Sequence, residues 1–444
     1  MKKFDTLVIG LMLFSMFFGA GNLIFPPVLG AQAGTSYWLA IGGFILTGVG
    51  LPFAVLLAVS LVKDGAEEIG NRVHPWFSTI FMVIVYLSIG PFLAIPRNAT
   101  VAYEMGVKPF LGSSFNSSFI LLVFSAVFFA LVFVVSLNPS KMEQYMGRWI
   151  TPVLLVAMVT LCTIGLINMD GSLQTPAEQY QANAFSTGFI EGYNTMDALA
   201  ALAFGIVILS AIKQRGITDK KQLTKYTLKA ALVAGVLLSL VYVSLGLIGG
   251  KMAATGSYAS GTDLLTAVST LLLGSSGKAL LGVIFTLACF TTVVGLTVAC
   301  GQYFSKLLPK VSYRTVALIV TLIGFTLSNM GLAQILKVSV PFLVTAYPLT
   351  IVLTVLTFFS RYYKNIRKVY GSAMLFTGVF AVNSGLTTAG VNLGLLQAIA
   401  KALPFASVGL EWIIPALVGT AIGLLLGTFE KKPVQSQLVD SKAS

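Results

Sequence analysis

Gly19-Ala20-Gly21-Asn22 interrupts the first apolar run of this chain, and Glu191-Gly192-Tyr193-Asn194, followed by Asp197, interrupts a later one. Glycine weakens a helix interior by about 1 kcal/mol relative to alanine. Asparagine and carboxylates in an apolar stretch must find polar partners. The chemistry these residues suit is binding. The one histidine, His74, sits in a short polar stretch beside Pro75, where a proton role has little support, and no metal-ligand spacing is present. An unwound stretch at membrane depth frees backbone N–H and C=O groups that lipid cannot satisfy, so it is tolerated where it is buried in protein or lines a cavity. Corresponding interruptions in two halves of a chain point to a solute site between inverted repeats. The bland alternative is that these glycines only let helices pack closely.

The geometry of two such breaks suggests a ligand. A half-helix starting near Asn22 would aim its N–H groups and positive end at the midplane, which suits a carboxylate. A half-helix ending near Glu191-Gly192 would aim carbonyls at the same point, which suits an ammonium group or a cation. A zwitterionic amino acid fits both, with Phe17, Phe18, Tyr193 and Tyr86 walling an apolar pocket. Asp197 either serves this function or caps the restarted half-helix. Glu191 and Arg97 would form an outer gate; Glu104 is the competing partner, and snorkelling of Arg97 to the interface is the plainer reading. Thr291, Thr292 and Thr297, with first-run carbonyls, would hold a small hard cation such as Na⁺, although membrane threonines commonly bond their own backbone.

The elements that must position these groups are membrane helices. The chain is 56% hydrophobic and 10% charged, which defines a polytopic membrane protein. Its net charge of +13 is not a nucleic-acid patch, because the basic residues recur in short loops between apolar runs. About twelve spans are counted, from Phe4–Leu29 to Trp412–Phe429. With the N-terminus inside, inner segments hold 22 Lys and Arg against 6 elsewhere, so both termini are expected to be cytoplasmic. The basic stretch from Lys213 to Lys221 sets topology and would touch anionic lipid. Cys162, Cys289 and Cys300 all fall in apolar runs and read as reduced and structural. The first run is too long for a signal peptide. A single transmembrane unit over 1–430 is expected, with a polar cytoplasmic tail over 431–444 and no soluble domain.

Phe17-Phe18-Gly19-Ala20-Gly21-Asn22-Leu23-Ile24-Phe25-Pro26-Pro27 and Gly192-Tyr193-Asn194-Thr195-Met196-Asp197-Ala198-Leu199-Ala200 resemble the signature segments of bacterial branched-chain amino acid carriers, the LIVCS family of cation symporters. The similarity extends to Pro91-Phe92-Leu93-Ala94-Ile95-Pro96-Arg97-Asn98 and covers nearly the whole chain. It implies an all-α, LeuT-like fold with two inverted five-helix repeats, about 4–168 and 185–360, and two extra helices over 370–430. It implies uptake of leucine, isoleucine and valine across the cytoplasmic membrane by alternating access, coupled to Na⁺ or, in some members, H⁺. Carried over by residue, Gly19, Ala20 and Gly21 supply substrate-binding backbone. Asn22 matches an asparagine that helps hold a sodium ion. Tyr193, Asn194 and Thr195 meet the substrate, and Thr291 and Thr292, or Thr297, supply hydroxyls to a second sodium site. Phe17 departs from the small residue of the related fold, and Glu191 and Asp197 have no matching position. The resemblance implies no organic cofactor, no nucleic acid and no obligate protein partner. A carrier for another amino acid or a nucleobase-like solute is the nearer rival. An ion channel, which would need a continuous polar pore, is the more distant one.

Overall fold

A computed structural model describes residues 3–63, 65–111, 117–258 and 260–428, so the tail expected over 431–444 lies outside the described residues. The described residues form helices and turns, with no strand among them. The chain opens with α1 (Lys3–Phe17) and α2 (Ala20–Ala33), then α3 (Tyr37–Ile45), α4 (Leu51–Leu61) and the short α5 (Ala66–Asn71). Next come α6 (Pro75–Leu87), α7 (Ala94–Gly106), α8 (Ser117–Ser136), α9 (Pro139–Glu143) and α10 (Thr151–Asn168). After the small α11 (Glu178–Gln181) follow α12 (Ala184–Glu191), α13 (Asp197–Lys213), α14 (Lys220–Met252) and α15 (Gly261–Leu307). The remainder is α16 (Tyr313–Ser328), α17 (Leu332–Phe359), α18 (Ile366–Thr388), α19 (Leu395–Ala402) and α20 (Ile413–Thr428).

Among the described residues eight helical stretches are long and apolar enough to cross a membrane, and nine when the bent pair α12–α13 counts as one. Shorter apolar helices run over Phe4–Phe17, Tyr313–Ser328 and Ile413–Thr428. Large apolar side chains such as Trp38, Leu131, Val134 and Val156 are more than half exposed. In water each would forgo about 1.5–3 kcal/mol of burial; in hydrocarbon that penalty vanishes. The opposite faces pack a continuous core around α1, α13 and α15.

With the spans numbered in chain order, α1–α2 form the first helix, α6–α7 the third, α12–α13 the sixth, α14 the seventh and α15 the eighth, and three features of this bundle position the site. The first helix stops at Phe17 and restarts at Ala20, with Gly19 extended at φ −119° and ψ −162°. The sixth helix stops at Glu191, makes a 3-10 turn over Gly192–Thr195, and restarts at Asp197 after a bend of 44°. The third stretch is offset between α6 and α7. Pro91 has no N–H and clashes with the preceding turn, and Gly90 adopts non-helical φ −85° and ψ −121°. The restart at Ala94 delivers Arg97 and Asn98, both about 3% exposed or less, to the first-helix break.

Glycines set how closely these parts approach. A Cβ on Gly30 would lie 1.8 Å from the Gly246 carbonyl oxygen, and one on Gly249 would lie 2.1 Å from that of Pro27. The α2–α14 crossing is therefore backbone against backbone, as small residues permit inside membranes.

Candidate functional site

In an unbroken first helix, the Gly19 N–H would bond the Ser15 carbonyl and the Ala20 N–H would bond that of Met16. Both donors are diverted. Gly19 N–H donates to Asn22 Oδ1 at 3.2 Å, and Ala20 N–H donates to Asn98 Oδ1 at 2.8 Å. The released Ser15 carbonyl accepts from Thr291 Oγ1 at 2.8 Å and from Thr292 Oγ1 at 3.4 Å. A Cβ on Gly19 would sit 2.7 Å from Asn98 Oδ1 and 2.8 Å from Thr292 Oγ1, so only glycine fits where the first, third and eighth helices meet. The carbonyls of Leu287 and Ala288 on its own helix, each 3.0 Å from Thr291 Oγ1, are alternative acceptors for the same single proton, the back-bonding expected of a membrane threonine. Thr297 lies further along α15 and its buried hydroxyl has no partner.

The sixth-helix break carries its own closures. Met196 takes the left-handed conformation at φ 65° and ψ 8°. Its N–H donates to the Tyr193 carbonyl at 3.0 Å, and Thr195 Oγ1 donates to the Gly192 carbonyl at 2.9 Å. The Asp197 N–H reaches Thr195 Oγ1 at 3.4 Å, and no side chain, that of Asp197 included, caps the restarted helix at its N-cap Met196. The Asp197 carboxylate points across the bundle. Asn22 Nδ2 donates to Asp197 Oδ2 at 2.6 Å and also bonds the Tyr242 hydroxyl, which donates to the same Oδ2 at 3.2 Å. This buried triad joins the first, sixth and seventh helices. Every member is 2% exposed or less, so the polar groups satisfy one another where lipid and water cannot.

The expected outer gate takes a different form. Arg97 and Glu191 do not pair; Asn194 lies between them. Arg97 Nη1 donates to the Asn194 carbonyl at 2.9 Å, and Asn194 Nδ2 donates to Glu191 Oε2 at 2.9 Å. The break brings Asn194 backbone to the arginine, and the short Glu191 side chain stays on its own turn. Glu104, the competing partner, lies instead in a cavity of about 710 Å³ with Lys108, Asp263 and Lys278. Snorkelling is also not what the arginine does, since Arg97 is 3% exposed.

The aromatic wall is divided. Tyr193 stacks on Tyr347 with ring centroids 4.2 Å apart and faces a cavity of about 280 Å³ shared with Ile190, Lys401, Glu411 and Trp412. Phe17 meets Phe204 edge-on at 5.2 Å, and Phe18 stacks on Phe14 at 5.0 Å, so both seal the bundle just past the break. Tyr86 is not with them. It stacks on Tyr303 at 4.0 Å beside Glu67 and Lys306, an ion pair at 2.6 Å at the lysine-rich end. Aromatic type alone nominated Tyr86; its position on α6 places it at the lysine-rich end, away from the start of α2.

Sequence reasoning passed over Ser15, Asn98 and Tyr242 as site residues. Asn98 carried a usable signal, a polar residue in an apolar span. Tyr242 carried none, since a tyrosine in α14 looks like its apolar neighbours until the fold sets it against Asp197. Among the described residues no group of three or more His, Cys, Asp or Glu could hold a metal ion.

Two broken helices whose breaks meet within a helical bundle mark a membrane carrier of the LeuT-like fold, and solved structures agree. Mhp1, a nucleobase-cation-symport-1 family transporter in a closed conformation with bromovinylhydantoin bound, superposes with a TM-score of 0.60 over 95% of this chain and 91% of its own, at 15% identity. MhsT in complex with L-phenylalanine gives a TM-score of 0.56 over 95% and 97%, also at 15% identity. The chain belongs to the branched-chain amino acid transport protein family, whose profile matches residues 2–430. It is similar to the branched-chain amino acid permeases BraB and BrnQ of Bacillus subtilis. Identities are 44% and 43%, each over 96% of this chain and over 96% and 97% of those proteins. The branched-chain amino acid transport system 2 carrier protein of Pseudomonas aeruginosa is 40% identical over 98% of both chains. This is a family of transporters, not of enzymes.

Proposed function

We propose that the protein imports leucine, isoleucine and valine across the cell membrane together with Na⁺, by alternating access between the two broken helices. The observation that carries this reading is the meeting of the α2 N-terminus with the 3-10 turn at Gly192–Thr195, inside a chain related at 40–44% identity to named branched-chain permeases. The first turn of α2 at Gly19–Gly21 would hold the substrate carboxylate, and the carbonyl end of α12 near Glu191 and Gly192 its ammonium. The ion seat is proposed at the Ser15 carbonyl with Thr291 and Thr292, oxygen ligands of the kind a hard cation takes. Asn22 Oδ1 ties that seat to the substrate side through Gly19. Na⁺ drives uptake only by favouring the substrate-competent state over the other. Membrane potential adds about 2.3 kcal/mol per charge per 100 mV to one Na⁺ moving with a zwitterion.

Supporting an inside N-terminus is the 22-to-6 bias of basic residues. It sets the end carrying Lys63, Lys213 and Lys306 in the cytoplasm. The two-repeat organisation, with α18 and α20 as additions, belongs to the same reading. A proton-coupled version rests on a specific observation, the Asp197 carboxylate buried between Asn22 and Tyr242.

Radiolabelled leucine uptake into proteoliposomes, under an imposed Na⁺ gradient and then an H⁺ gradient, tests both. Concentrative uptake driven by Na⁺ and competed by valine and isoleucine, but not lysine, is expected. Uptake driven by H⁺ alone would move the coupling site to Asp197. No leucine uptake under either gradient by folded protein would overturn the substrate reading.

A further inference from the structure

Arg97 is a full positive charge held at 3% exposure among apolar helices. Such a charge is costly in a membrane unless something compensates it. The ion pairs of other basic residues, such as Arg72–Glu68, Arg215–Asp5 and Lys306–Glu67, gather at the lysine-rich end. Arg97 makes no ion pair among the described residues. It donates from Nη1 to the Asn194 carbonyl, lies 6.0 Å over the Phe25 ring, and keeps a buried Nε with no partner. Asp197 attracts the guanidinium from beyond ion-pair distance, and its Oδ2 is held by the neutral donors Asn22 and Tyr242, so no carboxylate bonds Arg97 directly.

The position of the guanidinium is as telling as its isolation. A Cβ on Gly21 would lie 2.9 Å from Arg97 Nη2, so the guanidinium rests against the first turn of α2 with only a glycine hydrogen between. That turn is the positive end of a helix dipole with N–H groups lacking helical acceptors. Two positive features placed side by side repel each other until an anion sits between them. A planar guanidinium with free N–H donors matches a carboxylate edge on, through two parallel bonds.

We propose that Arg97 receives the α-carboxylate of the transported amino acid, jointly with the first turn of α2, and so makes the carrier select free acids over their amides, esters and alcohols. This rests on the amino acid reading above and names the residue that reads the charged head. Asn194 becomes a positioning residue in this arrangement. Its carbonyl holds the guanidinium at the break, while its side chain is held by Glu191. The sixth helix thereby sets the orientation of an arginine on the third.

The test compares leucine with leucinol, which keeps the ammonium and side chain but has no carboxylate. Binding of both to purified protein in lipid nanodiscs is measured for wild type, Arg97→Gln and Arg97→Lys. Wild type should prefer leucine strongly. Arg97→Gln should lose leucine affinity by about 30-fold or more, the effect of truncating one side of a buried charged pair, and keep leucinol affinity within about threefold. Retained leucinol binding shows that the variant is folded. Arg97→Lys should recover part of the leucine affinity, because the charge remains and the fork is lost. Equal losses for both ligands, or unchanged leucine preference in Arg97→Gln, would reduce Arg97 to a staple on Asn194 and overturn the assignment. Wild-type protein that binds none of leucine, isoleucine, valine or leucinol would overturn the substrate reading and this assignment with it, an outcome distinct from the previous two.

Discussion

The two helix breaks face the same point, yet they are held open by different means. At the first, three diverted groups reach for side chains: Gly19 N–H for Asn22, Ala20 N–H for Asn98, and the Ser15 carbonyl for Thr291 and Thr292. At the sixth, the turn closes on itself through Tyr193, Thr195 and Gly192, with Met196 in the left-handed region where the chain bends by 44°. The first break is therefore held mainly by side chains of the assembled bundle, whereas the turn of the second is closed by its own backbone and Thr195, with Arg97, Asn22 and Tyr242 reaching it from other helices. A ligand that changes the spacing of the first, third and eighth helices acts directly on the first break. The sixth break offers a pre-formed surface against which that change is read. This division suits a carrier whose ion and solute must influence one another, since one site has to be conditional on the other.

The distinction can be broken most severely at Gly19. Gly19→Ala drives a methyl group against Asn98 and Thr292, and leucine uptake should fall by about 100-fold, the scale of a 1 Å misplacement at a reacting or binding centre. Normal transport by this variant would show that the first break has slack the geometry does not suggest. Asn98→Ala is the next largest. It strands the Ala20 N–H at membrane depth, which costs roughly 1–3 kcal/mol. Thermal unfolding in detergent should show lower stability, with the Na⁺ requirement of uptake rising in parallel; a change in stability alone would make Asn98 merely structural. Thr195→Val should do least. Losing the hydroxyl's bond to the Gly192 carbonyl and its long contact with Asp197 N–H is worth about 1–2 kcal/mol, visible as a small drop in melting temperature with ion dependence unchanged. A strong effect on ion dependence there would erase the contrast between the two breaks.

How much of this was legible in the sequence follows the same division. Both breaks could be located there, because glycine and polar residues inside apolar runs are local signals. Helix class and family could be read from long, unusual segments such as Phe17 to Pro27. What was illegible is what the first break depends on: residues distant in sequence. Ser15 becomes an ion-seat candidate only because Gly19 releases its carbonyl and Thr291 lies opposite. Tyr242 is found only when α14 crosses the sixth-helix restart. The same blindness to register explains the two site expectations that changed. Tyr86 had the right chemistry at the wrong depth, and Arg97 and Glu191 were assigned to one another although Asn194 occupies the space between them. Span number was the weakest inference from apolar length, since α1, α16 and α20 fall short of a full crossing length and α2 runs on toward α4 as one apolar stretch.

The α2–α14 crossing has a mechanical consequence. With Gly30 against Gly246 and Pro27 against Gly249, these helices touch backbone to backbone over two points of the crossing. They form a single stiff lever whose one end carries Gly21 and Asn22 and whose shaft carries Tyr242. Any rocking motion that swings this lever must bend the chain at its fulcrum, Phe18–Gly19. It must also carry the Asn22–Tyr242 contact along intact while straining their shared grip on Asp197. Tension in the carrier cycle would then concentrate at one carboxylate, and the stiffness of two glycine-lined helices would set how far a small displacement at the ion seat is magnified at the opposite face of the membrane.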